Sequence, residues 1–166
     1  MTKFLTLAVA GLLLVAAPLL AGKADDAARY TEDLKTSKDL KVRIIAAQEI
    51  GKLAEVRKTY GKEAVPYLLE ACQDKDPGLR AAAAEALGKS YTGDDDKAVT
   101  LLTNLMKDDG EMKVRIGAIR GLGAMGPKAK AALPTMKEMM GKEDKKSPLR
   151  RPLQESINTI MERAKK

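Results

Sequence analysis

Histidine and tryptophan are both absent from the 166 residues of this chain, and aromatic side chains number only four tyrosines and one phenylalanine. Without histidine there is no imidazole general base, no Ser-His or Cys-His pair and no imidazole metal ligand. Scarce aromatic side chains also argue against base stacking, and hence against a nucleic-acid partner. These absences predict a protein that is not an enzyme and that has no catalytic residue, no metal site and no cofactor.

Cysteine occurs once, at Cys72, so an intramolecular disulfide is excluded. The thiol lies at helical spacing with Val65, Leu68 and Leu69, which favours a small buried hydrophobe over a thiol that pairs between chains. We expect the folded chain to be a monomer.

The uncharged run over residues 4–22 has the pattern of an export signal. Pro18 breaks its apolar part, and Gly22 and Ala24 supply the small residues that suit cleavage after Ala24. The run is also just long enough to cross a bilayer, so an uncleaved membrane anchor is the alternative. Both interpretations export the rest of the chain, to the periplasm or the medium, and membrane contact is expected only if residues 1–24 remain attached.

Positive charge exceeds negative charge in the rest of the chain, but the excess is dispersed. Without residues 1–24 the sequence has 28 basic and 23 acidic side chains, a net charge of +5. No basic block is present, which again argues against nucleic acid as a partner.

An internal repeat is the strongest pattern in the sequence. Four segments align on an arginine, at spacings of 37, 35 and 35 residues, with an aliphatic residue one position before it and another seven positions after it. With the arginine as position zero, positions −1, +3, +7 and +10 share one face of a helix, and position +8 is glycine in three copies. The arginines are Arg43, Arg80, Arg115 and Arg150, and the glycines are Gly51, Gly88 and Gly123.

A second helix is predicted after each of the first three segments, in stretches that begin at Val65, Val99 and Leu133. Residues 25–36 look like the second helix of a preceding half-repeat, with Ala28, Tyr30 and Leu34 as its apolar side chains. The sequence therefore predicts an all-α fold, a solenoid of antiparallel helix pairs. The predicted repeats are about 39–73, 76–107 and 111–141, with a partial repeat at 146–163, in a domain of residues 25–166.

Residues 121–126 read G-x-G-x-x-G, the spacing of a dinucleotide-binding turn. Such a turn follows a strand and leads straight into a helix. Here the aligned copies predict a helix before Gly121, and Pro127 interrupts any continuation. Repeat position explains Gly123, and Gly126 with Pro127 ends the helix, so no nucleotide site is predicted.

The most specific part of the pattern is Ala118-x-x-Gly-Leu-Gly-x-Met-Gly-Pro127, followed by Ala132-Leu-Pro134. Together with the aligned segments, it resembles the HEAT-like repeats of bacteria, a type also found in phycobilisome lyases, over residues 39–163. The resemblance implies an armadillo-like superhelix whose usual role is to bind protein. It also implies a ladder of acid–arginine pairs, which here would join Asp39 to Arg43, Asp76 to Arg80 and Glu111 to Arg115.

The fourth copy departs from this pattern, with Lys146 in place of the acid, Pro152 at the start of the helix and Asn158 in place of glycine. A terminal repeat that caps a solenoid is expected to differ in this way.

Candidate protein-binding residues lie on the second helices, on the sides that helical spacing turns away from the core. They are Tyr67, Leu101 and Thr135 in one row and Glu70, Asn104 and Glu138 in another. We expect an exported, non-catalytic scaffold or adaptor that binds another protein. The alternatives are an enzyme-associated, lyase-like subunit and a structural envelope spacer anchored by residues 4–22.

Cleavage after Ala24 predicts that the exported protein begins at Asp25. Intact-mass spectrometry of the protein isolated from the cell envelope or the medium measures this directly. A protein that retains Met1 would contradict cleavage and support the membrane anchor.

Overall fold

Helices form most of the computed structural model, which describes residues 22–93 and 96–164. Neither range contains a β-strand, which confirms the predicted all-α solenoid. Residues 22–36 form helix α1. The following helices are Leu40–Val56 (α2), Val65–Ala71 (α3), Pro77–Ser90 (α4), Lys97–Asp108 (α5), Met112–Met125 (α6), Leu133–Lys142 (α7) and Arg150–Arg163 (α8). Two 3-10 segments, Lys58–Ala64 and Gly126–Ala132, lead directly into α3 and α7.

The predicted export signal lies almost wholly outside the described residues, of which only 22–24 belong to it. These three residues are helical and are continuous with the rest of α1. Within the described part of the chain, every helix is too short or too polar to span a membrane.

The helices stack in two layers. The first helices of the four repeats, α2, α4, α6 and α8, each pack against the next, and α3, α5 and α7 each pack against the first helix of the following repeat. Each repeat therefore touches its neighbours in sequence, as a solenoid requires.

Local side chains define where the first helices begin. Asp39 accepts a hydrogen bond from the backbone N–H of Lys41, and Asp76 accepts two from the second and third residues of α4, where Pro77 occupies the first helical position. Helix α6 starts after Glu111 without such a side-chain cap. The last helix starts later than the alignment suggests, at Arg150, after a loop that contains Lys146.

One continuous apolar cluster runs through the stack, from Leu34 in α1 to Ile160 in α8. Cys72 is fully buried in this cluster, as its spacing predicts, and burial raises the pKa of the thiol to about 12. The prediction that Ala28 is one of the packed apolar residues of α1 is wrong, because Ala27 is buried whereas Ala28 is exposed. The rotation of α1 about its own axis is set by its packing against neighbouring helices, which a short apolar pattern does not specify.

The first helices approach one another closely at the repeated glycines. A Cβ atom on Gly88 would overlap the backbone of Gly121, and one on Gly123 would lie 2.5 Å from Ser156 Oγ. A Cβ on Gly51 would lie 3.3 Å from Ala86. Each +8 glycine thus faces the +6 position of the next repeat. This contact explains why position +6 is Ala, Gly and Ser in the second, third and fourth repeats.

Gly88→Ala is expected to lower the free energy of unfolding by about 1–3 kcal/mol, because α4 and α6 must separate to admit one methyl group. Gly141→Ala is the matched control, since no atom lies within 4 Å of its Cβ position near the end of α7. Its better helix propensity should leave stability unchanged or raise it by up to about 1 kcal/mol. Urea denaturation followed by circular dichroism measures both. Equal effects of the two changes would contradict the close approach.

Candidate functional site

A groove runs along α4, the second helix of the first-helix layer, between α2 and α6. Its floor consists of small residues of α4, mainly Gly78, Ala81 and Ala82, and its apolar walls are Ile44 of α2 and Ile116 of α6. The groove contains about 570 Å³ and is open to solvent. We refer to these residues, with the charged residues described below, as the α4 groove.

The groove exists because α4 has small side chains where its two neighbours have large ones. Position +1 is Ile44 in α2, Ala81 in α4 and Ile116 in α6. Ile44 Cδ1 lies 3.2 Å from the position that a Cβ of Gly78 would occupy, so the isoleucine leans over the start of α4. From Gly78 to Lys89 the floor is about 16 Å long, or three helical turns.

Basic side chains dominate the rim of the groove. Lys52, Lys89, Lys113 and Arg120 line it, whereas Glu85 is its one acidic lining residue. At one end, Lys89 Nζ lies 2.7 Å from a carboxylate oxygen of Glu85 and 2.9 Å from one of Glu55. Burial opposes the charge of Lys89, but hydrogen bonds to these two carboxylates outweigh burial and raise its pKa. The Lys89 side chain therefore stays protonated at neutral pH.

Two other cations of the rim are less fully engaged. Arg120 Nη1 lies 3.6 Å from Glu85, too far for a hydrogen bond. Lys113 Nζ lies over the first turn of α4, 3.9 Å from the Cβ position of Gly78, and forms no ion pair within the described ranges. The groove thus combines an apolar floor with positive charge that is available to a ligand. It is suited to binding an amphipathic segment with acidic side chains.

The six residues predicted to form a protein-binding surface lie on the second helices, but the structure divides them. Tyr67, Leu101 and Thr135 are half-buried, and Glu70, Asn104 and Glu138 are exposed. Tyr67 borders a hollow against α1, whereas Leu101 and Asn104 border a separate one at the start of α5. Glu138 forms an ion pair with Lys142 at 2.6 Å. None of the six lines the α4 groove. The groove itself was not predicted from the sequence.

A signal for the groove is nonetheless present in the aligned repeats. Positions +1 and +2 are Ile44 and Ile45 in the first copy but Ala81 and Ala82 in the second. Small residues at outward positions of one helix, beside large residues of its neighbours, indicate a depression only when the order of the helices in the layer is known.

The arginine ladder is present, but its acids are not the predicted ones. Arg80 Nε and Nη2 donate to both carboxylate oxygens of Asp109, at 2.8 and 2.9 Å. Its Nη1 donates to the backbone oxygens of Asp74 and Lys75. Arg80 therefore joins the loop before its own helix to the loop before the next first helix.

The neighbouring arginines connect the loops in the same way. Arg43 Nη1 lies 2.9 Å from Asp74, and Arg115 Nη2 lies 3.4 Å from Glu143. Three of the four arginines also donate to a carbonyl near the end of the preceding second helix. These bonds are Arg43 Nε to Leu34, Arg115 Nε to Met106, and Arg150 Nη1 to Met140.

The predicted pairs Asp39–Arg43, Asp76–Arg80 and Glu111–Arg115 are therefore wrong. Asp39 and Asp76 use their carboxylates to cap backbone N–H groups, and the arginines extend instead to acids 28 to 31 residues further on. A hydrogen bond from the backbone N–H of Asp76 and one from Arg43 lower the pKa of Asp74 despite its partial burial. Burial works to raise the pKa of Asp109, but its bonds to Arg80 and to the N–H of Glu111 prevail and lower it.

The G-x-G-x-x-G segment is helical, as predicted from repeat position. Gly121 and Gly123 lie inside α6, and Gly126 ends the helix with φ of 63°, a conformation that favours glycine. The strand–turn–helix that a dinucleotide requires is replaced by two helices joined by a 3-10 segment.

Stacked helix pairs whose loops are joined by an arginine–acid ladder define an α-solenoid repeat protein. A family model described as HEAT repeats matches residues 27–112, more than half of the chain. The chain belongs to the HEAT-repeat family. The match ends at the first residue of α6, and the remaining helices continue the same architecture. No curated protein matches the sequence.

Asp109→Asn tests the ladder, because it removes the charge that Arg80 requires while it keeps the shape of the side chain. We expect it to lower the free energy of unfolding by about 1.5–3 kcal/mol at neutral pH. The deficit should shrink below pH of about 4, because the stability from a carboxylate of lowered pKa is lost as pH falls through the folded-state value.

The control is Glu155→Gln, whose partner Arg151 has an 88% exposed side chain. Removing such an exposed pair should change stability by less than about 1 kcal/mol. Urea denaturation at several pH values measures both variants, and similar effects at neutral pH would contradict the role of Asp109.

Proposed function

We propose that this protein is an exported, non-catalytic scaffold that binds a segment of another protein in the α4 groove. HEAT repeats commonly serve as scaffolds for protein interactions, which supports the general role. The observation that carries the location is the groove itself, a concave surface with an apolar floor and a basic rim.

The dimensions of the groove favour a helical ligand. Helix-in-groove recognition places apolar side chains of the ligand, spaced three or four residues apart, against an apolar floor. A floor of about 16 Å accommodates three helical turns. Acidic residues at the ends of such a helix would meet Lys113 at one end of α4 and Arg120 towards the other. Opposite charges there increase the rate of association and select the ligand's orientation.

Export is supported by the uncharged run over residues 4–22 and the small residues that follow it. Retention of the same run would make the protein an envelope spacer that is anchored to the membrane. If the bound partner is an enzyme, the protein is an enzyme-associated subunit, and the groove remains the contact surface.

Reversal of one rim charge tests the groove without disturbing its floor. Lys113 is exposed, so Lys113→Glu should fold normally and weaken partner binding by about tenfold. Lys137→Glu makes the same charge change on an exposed residue of α7, outside the groove, and should leave binding close to that of the wild type. The measurement is quantitative capture of partners from the extract of the source cells by each immobilised variant, after chemical crosslinking.

Two outcomes would contradict the proposal at different levels. If no protein is enriched on the wild type relative to the bare matrix, the scaffold function is wrong. If a partner is captured equally by wild type, Lys113→Glu and Lys137→Glu, the scaffold function stands but its assignment to the α4 groove is wrong.

A further inference from the structure

The two ends of the solenoid differ in polarity. At the N-terminal end, α2 exposes 52% of Ile45 and 58% of Val56, the two most exposed large apolar residues of the described chain. At the C-terminal end, the corresponding outer side of α8 is mostly polar. Terminal repeats normally present a polar outer face, so the apolar face of α2 calls for an explanation.

Repeat register identifies the face of α2 on which Ile45 lies. Ile45 occupies position +2, where the next three repeats have Ala82, Gly117 and Pro152. Gly117 and Pro152 are buried, and a Cβ on Gly117 would collide with the carbonyl of Ala81 in the preceding repeat. Position +2 is thus the contact with the preceding first helix. Ile45 projects where such a helix would pack.

Helix α1 does not fill this place, because it belongs to the other layer. Arg43 donates to the carbonyl of Leu34 in α1 just as Arg115 donates to that of Met106 in α5. The relation of α1 to α2 is therefore that of a second helix to the following first helix. No first helix precedes α2 within the described residues.

Four residues of α2 form a stripe that reads the same in both directions. Ile45, Glu49, Lys52 and Val56 are separated by four, three and four residues, which places them on one side of a helix. The order is apolar, charged, charged, apolar, and the two charges are opposite. We refer to these four residues as the α2 stripe.

An antiparallel pair of such stripes is self-complementary. A two-fold axis through the middle of the stripe places Ile45 opposite Val56 of the partner subunit and Glu49 opposite Lys52 of the partner subunit. In one copy Lys52 Nζ already lies 2.6 Å from Glu49, with side chains that are 66% and 29% exposed, so the pair can extend across the axis with limited desolvation. Two-fold dimers with the same patch on both subunits are the commonest oligomers.

Stacking of the N-terminal end of one copy on the C-terminal end of another is disfavoured by the polar groups of α8. Arg151 pairs with Glu155 at 2.7 Å, and Gln154 donates to Asn158 at 2.9 Å. Asn158 occupies the +8 position, where the other first helices have the glycine that permits close approach. Burial of these groups against Ile45 would remove water without supplying new hydrogen bonds.

We propose that the α2 stripe is the interface of a symmetric dimer, in which a second copy of the chain covers the N-terminal end of the solenoid. The dimer replaces the monomer expected from the sequence. Its apolar contacts do not overlap the α4 groove, because the floor and the isoleucine walls of the groove are not part of the stripe. Lys52, which is already paired with Glu49, borders both surfaces.

Sedimentation velocity over a wide range of protein concentration tests the dimer, with protein expressed from the full-length sequence. The wild type should convert from monomer to dimer as its concentration rises. Ile45→Arg should raise the dissociation constant of the dimer by at least about tenfold, since two buried apolar contacts become charged. Met161→Arg is the control, because Met161 is 38% exposed at the other end, on α8.

Charge reversal tests the antiparallel register. Glu49→Lys and Lys52→Glu should each weaken the dimer, because each places like charges opposite one another across the axis. The double variant restores opposite charges and should restore dimerisation. Circular dichroism must show the same helix content in all variants.

A wild type that remains monomeric at every concentration would overturn the proposal. So would a dimer that Ile45→Arg leaves intact or that Met161→Arg disrupts equally. Failure of the double variant to recover would overturn the antiparallel pairing.

Discussion

Direct contact between the backbones of neighbouring first helices sets the geometry of this solenoid. Gly88 rests against Gly121 with no space for a Cβ atom, and Gly117 approaches the carbonyl of Ala81 in the same way. Because backbone atoms in van der Waals contact cannot approach further, the spacing between α4 and α6 is set by the backbone rather than by side-chain rotamers. The loops at the ends of these helices are consequently held at a constant separation.

The arginine ladder depends on that separation. Arg80 forms its bidentate pair with Asp109, at 2.8 and 2.9 Å, because the two loops lie within reach of one arginine side chain. Arg43, Arg80 and Arg115 each bond to the segment before their own helix and to an acid in the loop after their repeat, so adjacent repeats are coupled through the same side chain. Nearest-neighbour coupling of this kind makes the stability of a solenoid approximately a sum over its repeats and interfaces.

The two candidate interaction surfaces arise from departures from this regular stack. Alanine and glycine on the outer side of α4 leave a groove because α2 and α6 carry isoleucine at the aligned position. Ile45 is exposed because no first helix precedes α2 within the described residues. The groove therefore arises where the residues of one helix are smaller than the aligned residues of its neighbours. The exposed face of α2 arises where the described residues provide no neighbouring helix in the layer.

The sequence alone determined the helices, the repeat register and the burial of Cys72, because helical periodicity is a local property that each segment carries in itself. It also explained Gly121 and Gly123 as packing residues. The tertiary structure decided which acid each arginine meets, since Asp74, Asp109 and Glu143 come close only when loops about 30 residues apart are stacked. It likewise decided that Ala27 rather than Ala28 is buried, and that the groove lies along α4. Periodicity identifies the buried side of a helix, but the residue that this side faces depends on how separate helices pack.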